Sequence, residues 1–233
     1  MTTPDAHDHD DPFLWSRVVV RGPASAKFLQ GQLSQDLAAL GPAGEWSGLL
    51  TPTSDVLATC LVGRVDDGFE LLVARALGDA ALARLRRFHL RVDCTLTLED
   101  ADQGPFNTIG AQVEQFEPGP AEFLGLSPQC YGDAFVRRTV SFTKGCFTGQ
   151  ELVARLDARG SNVPWRFVHA SGSTIEAIET ALVASGPHSD ASVSGVTTAV
   201  RAESGVAALG FVHRSALDAL ASHGPDVTIT VID

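Results

Sequence analysis

The chain has 233 residues, 44% hydrophobic and 19% charged, which suits a soluble globular fold and excludes a fibrous or disordered one. Its net charge of −11, from 28 acidic and 17 basic residues, disfavours general affinity for nucleic-acid phosphates or anionic membranes. Four cysteines with no CxxC pair support neither a zinc ribbon nor a thioredoxin motif, so reduced thiols and a cytoplasmic setting are expected.

Residues 1–12 read as a flexible acidic tail with no signal-peptide pattern, and its His and Asp side chains lack a scaffold to fix a metal. No apolar run approaches a membrane span. RVVVR (17–21) is a short strand. Pro23 then suits a first helical turn, Leu29, Leu33, Leu37 and Leu40 follow at near-helical spacing, and Gly41 can end that helix. EWSGLL (45–50) and VLATCLVGRV (56–65) are strands, and Asp66-Asp67-Gly68 turns the latter into FELLVAR (69–75). A second helix is predicted over Leu77–His89, with Leu82, Leu85 and Phe88 inward and Arg84, Arg86, Arg87 and Arg91 on a solvated face. VDCTLTLE (92–99) alternates as a strand and closes the unit. Cys60 and Cys94 both fall on apolar phases and read as core.

Helices on one face of a mostly antiparallel sheet make an α+β layer, assigned to residues 13–160. AFVRRTVSF (134–142) is amphipathic and leads into a cysteine loop. Beyond residue 160 the texture changes. WRFVHA, VSGVTTAVRA, VAALGFVH and VTITVI are short strands, and a capping box at Ser173–Glu176 starts one helix, which gives a small, mainly β domain over 161–233. His169 and His213 lie in these strands and read as structural.

KGCFTGQE (144–151) departs from core composition. Thr148-x-x-Glu151 has capping-box form, which places Cys146 just before a helix start with Lys144 close behind. A helix end and an ammonium both favour thiolate over thiol. Gly145 and Gly149 permit positive φ or close approach, and amides at the helix start can hold an anion such as a carboxylate.

SFTKGCFTGQELVAR resembles the signature of the YgfZ branch of the YgfZ/GcvT-like folate-binding family. VVVRGPASAKFLQGQLSQDL (18–37) is similar to that family's first strand and helix, and ALGFVHRSAL (208–217) to a returning strand of its C-terminal domain. The resemblance implies an α+β folate-binding portion followed by a β-barrel-like domain around a tetrahydrofolate site. It implies a role in assembling or repairing iron–sulfur clusters, with indirect effects on tRNA modification and with iron–sulfur proteins or assembly factors as partners. Cys146 is then the signature cysteine, with Lys144, Gly145, Phe147, Thr148, Gly149, Gln150 and Glu151 as the rest of the motif. Trp15, Gln32, Asp36 and Phe123 are the positions implied at the folate site, and no metal ligands are implied.

The acidic pair that the related aminomethyltransferases use falls on Ala58 and Thr59, neither of which can hold a proton as a carboxylate does. The glycine usual in the family's following turn is replaced by Ser54-Asp55. The leading expectation is therefore a folate-binding factor with a reactive cysteine. A folate-dependent one-carbon transferase and a non-catalytic folate sensor or partner-binding module are the alternatives.

Overall fold

A computed structural model describes residues 15–102, 104, 135–158, 165–183, 195–214 and 226–232. Alternating apolar side chains build the first sheet from β1 (Trp15–Arg21), β2 (Glu45–Leu50), β3 (Val56–Val65), β4 (Gly68–Ala74) and β5 (Thr95–Ala101), in the order β2-β3-β4-β1-β5. Every pairing is antiparallel, and β1 lies between β4 and β5, with Val18 opposite Leu71 and Leu98. One face buries Val18, Val20, Cys60, Val62 and Leu71 beneath two helices, α1 (Ser25–Gln30) and α2 (Gly78–Arg86). The expected α+β arrangement is present.

Two predicted helices differ from the structure. The leucine-spaced helix stops at Gln30, where the Gly31 amide bonds back to the Phe28 carbonyl. Leu33 then bridges Leu49 of β2, and Leu37–Ala39 form only a 3-10 turn. Local side chains compete with the helix here. Gln30 Oε1 accepts from the Leu37 amide, Gln35 Oε1 from the Asp36 amide and Asp36 Oδ1 from the Ala38 amide. Leu29, Leu33 and Leu37 are nevertheless all buried, so the spacing reports the core face without requiring a continuous helix. On α2 the supposed solvated face holds an exception: Arg84 is buried, with its guanidinium 4.2 Å from the Phe88 ring. Cys60 is core as expected. Cys94 is half-buried and precedes β5 rather than lying in it.

Residues 135–139 form a short helix, α3, which leads to the cysteine loop and then to α4 (Gln150–Ala158). The second sheet comprises β6 (Trp165–Gly172), β7 (Gly195–Ala202), β8 (Gly205–His213) and β9 (Val227–Val231), in the order β7-β8-β6-β9 and again antiparallel. Helix α5 (Ile175–Val183) is capped one residue later than the box at Ser173–Glu176 implies: Thr174 Oγ1 accepts from the Ala177 amide. It buries Ile178 and Leu182 against Val168 and Ala208.

The other face of this sheet faces the first unit. Phe167 and Phe211, with ring centroids 5.2 Å apart, share a core with Leu50 and Val56 of the first sheet, with Phe135 of α3 and with Phe147. The cysteine loop therefore lies in the seam between the two sheets.

Candidate functional site

Each residue of the loop contributes differently. Lys144 is part-buried, and its Nζ donates to the carbonyls of Gln30 (2.7 Å), Leu33 (2.5 Å) and Gln35 (3.1 Å). An ammonium has three N–H donors, so all of them are committed to the segment where the first helix fails. Burial pushes its pKa down to about 8, with Asp36 opposing the shift. Lys144 therefore holds the backbone of residues 30–35 through three carbonyl acceptors.

Phe147 is the anchor. Its ring is buried in the core between the sheets, with the Lys144 Nζ 5.1 Å from the ring centroid. Its amide donates to Gln150 Oε1 at 3.0 Å, and its carbonyl accepts from the Gln150 amide at 3.3 Å, closing a turn.

The predicted capping box does not form. Thr148 turns away from α4: its amide donates to the Gly31 carbonyl at 3.0 Å, and its hydroxyl lies 3.3 Å from that carbonyl and 3.4 Å from Gln32 Oε1. Glu151 instead pairs with Arg155 one turn along the helix. Helix α4 starts at Gln150, so Cys146 lies further from its end than the capping-box reading placed it.

Gly149 has φ +81°, and a Cβ there would fall 2.5 Å from the Thr51 carbonyl. Gly145 is different, since a Cβ at that position meets nothing within 4 Å. Between a clamped lysine and a buried phenylalanine, Cys146 is exposed. Cys60, by contrast, is fully buried with its thiol pushed up to about 12.

The segment under the loop carries two more of the implied positions. Gln32 is buried and accepts from Arg84 Nη1 at 3.0 Å. Asp36 caps the 3-10 turn, and hydrogen bonds from Gln30 Nε2 and then the Ala38 amide hold its carboxyl below the usual range.

Trp15 is buried at the start of β1, with its ring centroid 6.4 Å from that of Trp46, and Gly104 is so close that a Cβ would overlap the indole. The Trp46 carbonyl accepts from Gln35 Nε2 at 3.4 Å, which connects the tryptophan pair to the Gln35–Asp36 segment and so to the carbonyls held by Lys144. Phe123 lies outside the described residues. His213 packs edge-on against Trp165 at 5.1 Å, and burial pushes His169 down.

Sequence reasoning did not single out Ser34 or Trp46, and it placed the buried Arg84 on a solvated face. Ser34 Oγ accepts from the Gly48 amide at 2.7 Å and donates to the Thr139 carbonyl at 2.6 Å, which ties α3 to β2. Its position within the helix-like leucine spacing hid this role. Ser54 adopts φ +75°, the left-handed region that a residue with a Cβ disfavours.

Among the described residues, no group of three or more His, Cys, Asp or Glu side chains is placed to hold a metal ion. No helix among them is long and apolar enough to cross a membrane.

No protein-family model matches this chain. The crystal structure of glycine cleavage system aminomethyltransferase T from Bartonella henselae superposes with a TM-score of 0.58 at 13% identity, over 85% of this chain and 76% of that one. The architecture is thus that of the aminomethyltransferase T fold. By sequence, the chain is 24% identical to the tRNA-modifying protein YgfZ of Enterobacter sp. (strain 638) over 221 residues, which is 64% of this chain and 67% of that one. The YgfZ of Cronobacter sakazakii gives 24% over 222 residues, 64% of this chain and 66% of the relative. The alignments therefore span about two thirds of the relatives' length. By sequence the chain is thus similar to YgfZ proteins, and by fold to an aminomethyltransferase T.

Proposed function

We propose that the protein is a cytoplasmic tetrahydrofolate-binding factor that assists assembly or repair of iron–sulfur clusters and so affects tRNA modification indirectly, with Cys146 as its reactive group. One observation carries this reading. The loop is fixed at Lys144, Phe147, Thr148 and Gly149, yet leaves the Cys146 thiol exposed. A cysteine that only filled space would be buried, as Cys60 is.

Two features of the described residues support a flat heteroaromatic ligand. The half-buried Trp46 indole against Trp15 offers an apolar wall, and the Asp36 carboxyl, kept ionised, offers an acceptor for amino or amide N–H groups. Bound tetrahydrofolate supplies a nitrogen able to carry one-carbon groups. The chain's own part is to wall the ring, accept its hydrogen bonds and present a thiol.

The fold neighbour favours a second reading, an aminomethyltransferase-like one-carbon transferase. Against it, Ala58 and Thr59 are buried and supply no carboxylate.

The test is complementation of a strain lacking its own YgfZ, paired with tetrahydrofolate titration followed by tryptophan fluorescence in wild type and Trp15→Phe. Cys146→Ala is expected to lose complementation while keeping its melting temperature. Full complementation removes the reactive-cysteine claim and favours a folate sensor, whereas absence of quenching in the wild type removes folate.

A further inference from the structure

The cysteine loop rests on two seats. Thr148 sits on the residues after α1, bonded through its amide to the Gly31 carbonyl and with its hydroxyl 3.4 Å from Gln32 Oε1. Gly149 sits on the end of β2, where a Cβ would meet Leu50 Cβ at 2.7 Å and the Thr51 carbonyl at 2.5 Å. Both seats are held by one side chain from a different element. Arg84 of α2, only 6% exposed, donates from Nε to the Leu50 carbonyl at 2.9 Å and from Nη1 to Gln32 Oε1 at 3.0 Å.

Burying a guanidinium is costly, and its pKa falls through that burial and through Arg87 nearby. Anchoring α2 to the sheet does not require it, because Ala81, Leu82 and Leu85 already bury that helix against the core. What the planar fork adds is a fixed spacing between Gln32 and Leu50, which a single ammonium cannot reproduce.

We infer that Arg84 is a positioning residue for the cysteine loop. From α2 it holds Gln32 and Leu50 in register, so that Thr148 and Gly149 dock on them and the loop presents Cys146 in one place. The consequence for activity rests on Cys146 being the functional group. The geometry does not depend on folate.

The test is amide hydrogen exchange on the full chain, without folate, for wild type, Arg84→Lys, Gln32→Met, Thr148→Val and the Arg84→Lys/Thr148→Val double variant. In Arg84→Lys and Gln32→Met, the residue-148 amide is expected to exchange about tenfold faster relative to the Leu71 amide of β4, the factor carried by one hydrogen bond to a charged group. Arg84→Lys is also expected to add less in the Thr148→Val background than in wild type. Acceleration shared equally by Leu71, or strict additivity, overturns the inference and leaves Arg84 a general stabiliser. If Arg84→Lys does not fold, Arg84→Met, which fills the volume without donating, decides, and an unchanged relative rate at residue 148 in that variant overturns it. Because no arm contains folate, a failure to bind tetrahydrofolate leaves this result intact.

Discussion

Phe147 allows the seam between the sheets to be tested at the loop itself. Its ring is 9% exposed and packs in the cluster that joins Leu50 and Val56 to Phe167 and Phe211. Truncating a buried phenylalanine to alanine costs about 3–5 kcal/mol, from lost transfer energy plus the cavity left behind. The Lys144 ammonium 5.1 Å from the ring adds about 0.5–1 kcal/mol of cation–π attraction at a part-exposed site. For a chain of this size, each kcal/mol shifts the melting temperature by about 2–4 °C, so Phe147→Ala is expected to melt roughly 10 °C lower. Phe147→Leu keeps most of the apolar volume and loses the π face, for a cost of about 1–2 kcal/mol. Urea titration of all three proteins by circular dichroism measures both values. A cost below about 1 kcal/mol for the alanine variant would refute the anchoring role. A leucine cost equal to that of alanine would show instead that the cation–π contact, and not burial, holds the loop.

Other substitutions probe the remaining contacts. Gly149→Ala combines φ +81° with a Cβ driven onto the Thr51 carbonyl, and is expected to cost about 1–3 kcal/mol in the same titration. A cost below about 0.5 kcal/mol would mean the loop is not seated there. Iodoacetamide at pH 8 is expected to label Cys146, which is exposed, and to spare Cys60, whose thiol burial pushes to about 12. Peptide mass spectrometry reads both sites, and labelling of Cys60 in the folded chain contradicts that placement. For Lys144, the folded chain releases its proton near 8 while the unfolded chain keeps it to about 10.4. The unfolded state then binds more protons across that window, so wild type is expected to gain stability relative to Lys144→Met as pH rises through it. Thermal melts from pH 7.5 to 10.5 check the sign. A relative loss would mean that the three carbonyl acceptors outweigh burial and keep the ammonium charged.

The strands were legible because alternation carries the same information in the sequence as in the sheet. Val18 and Val20 of β1, and Cys60 and Val62 of β3, fall on one buried face as their phase predicts. The leucine spacing after Pro23 was legible as a buried face and misleading as a helix. Leu29, Leu33 and Leu37 reach the same core through a helix, a bridge and a 3-10 turn, and periodicity does not distinguish these routes. The motif loop was legible as exceptional, yet two of its residues proved to act elsewhere. Lys144 and Thr148 satisfy the residue 30–35 backbone and Gln32, partners more than a hundred positions away.

By itself the sequence determined the order of the strands along the chain, the burial of Cys60, the departure of KGCFTGQE from core composition and the family resemblance. These depend on local pattern: side-chain period, turn residues and a contiguous motif. Tertiary structure alone decided that Arg84 turns inward, that Lys144 is committed to backbone carbonyls, and that Phe147 is buried while its neighbour Cys146 is exposed. Each of these outcomes depends on an acceptor or a cavity contributed by a distant segment. A charged or aromatic side chain has no preferred destination until folding brings that segment beside it.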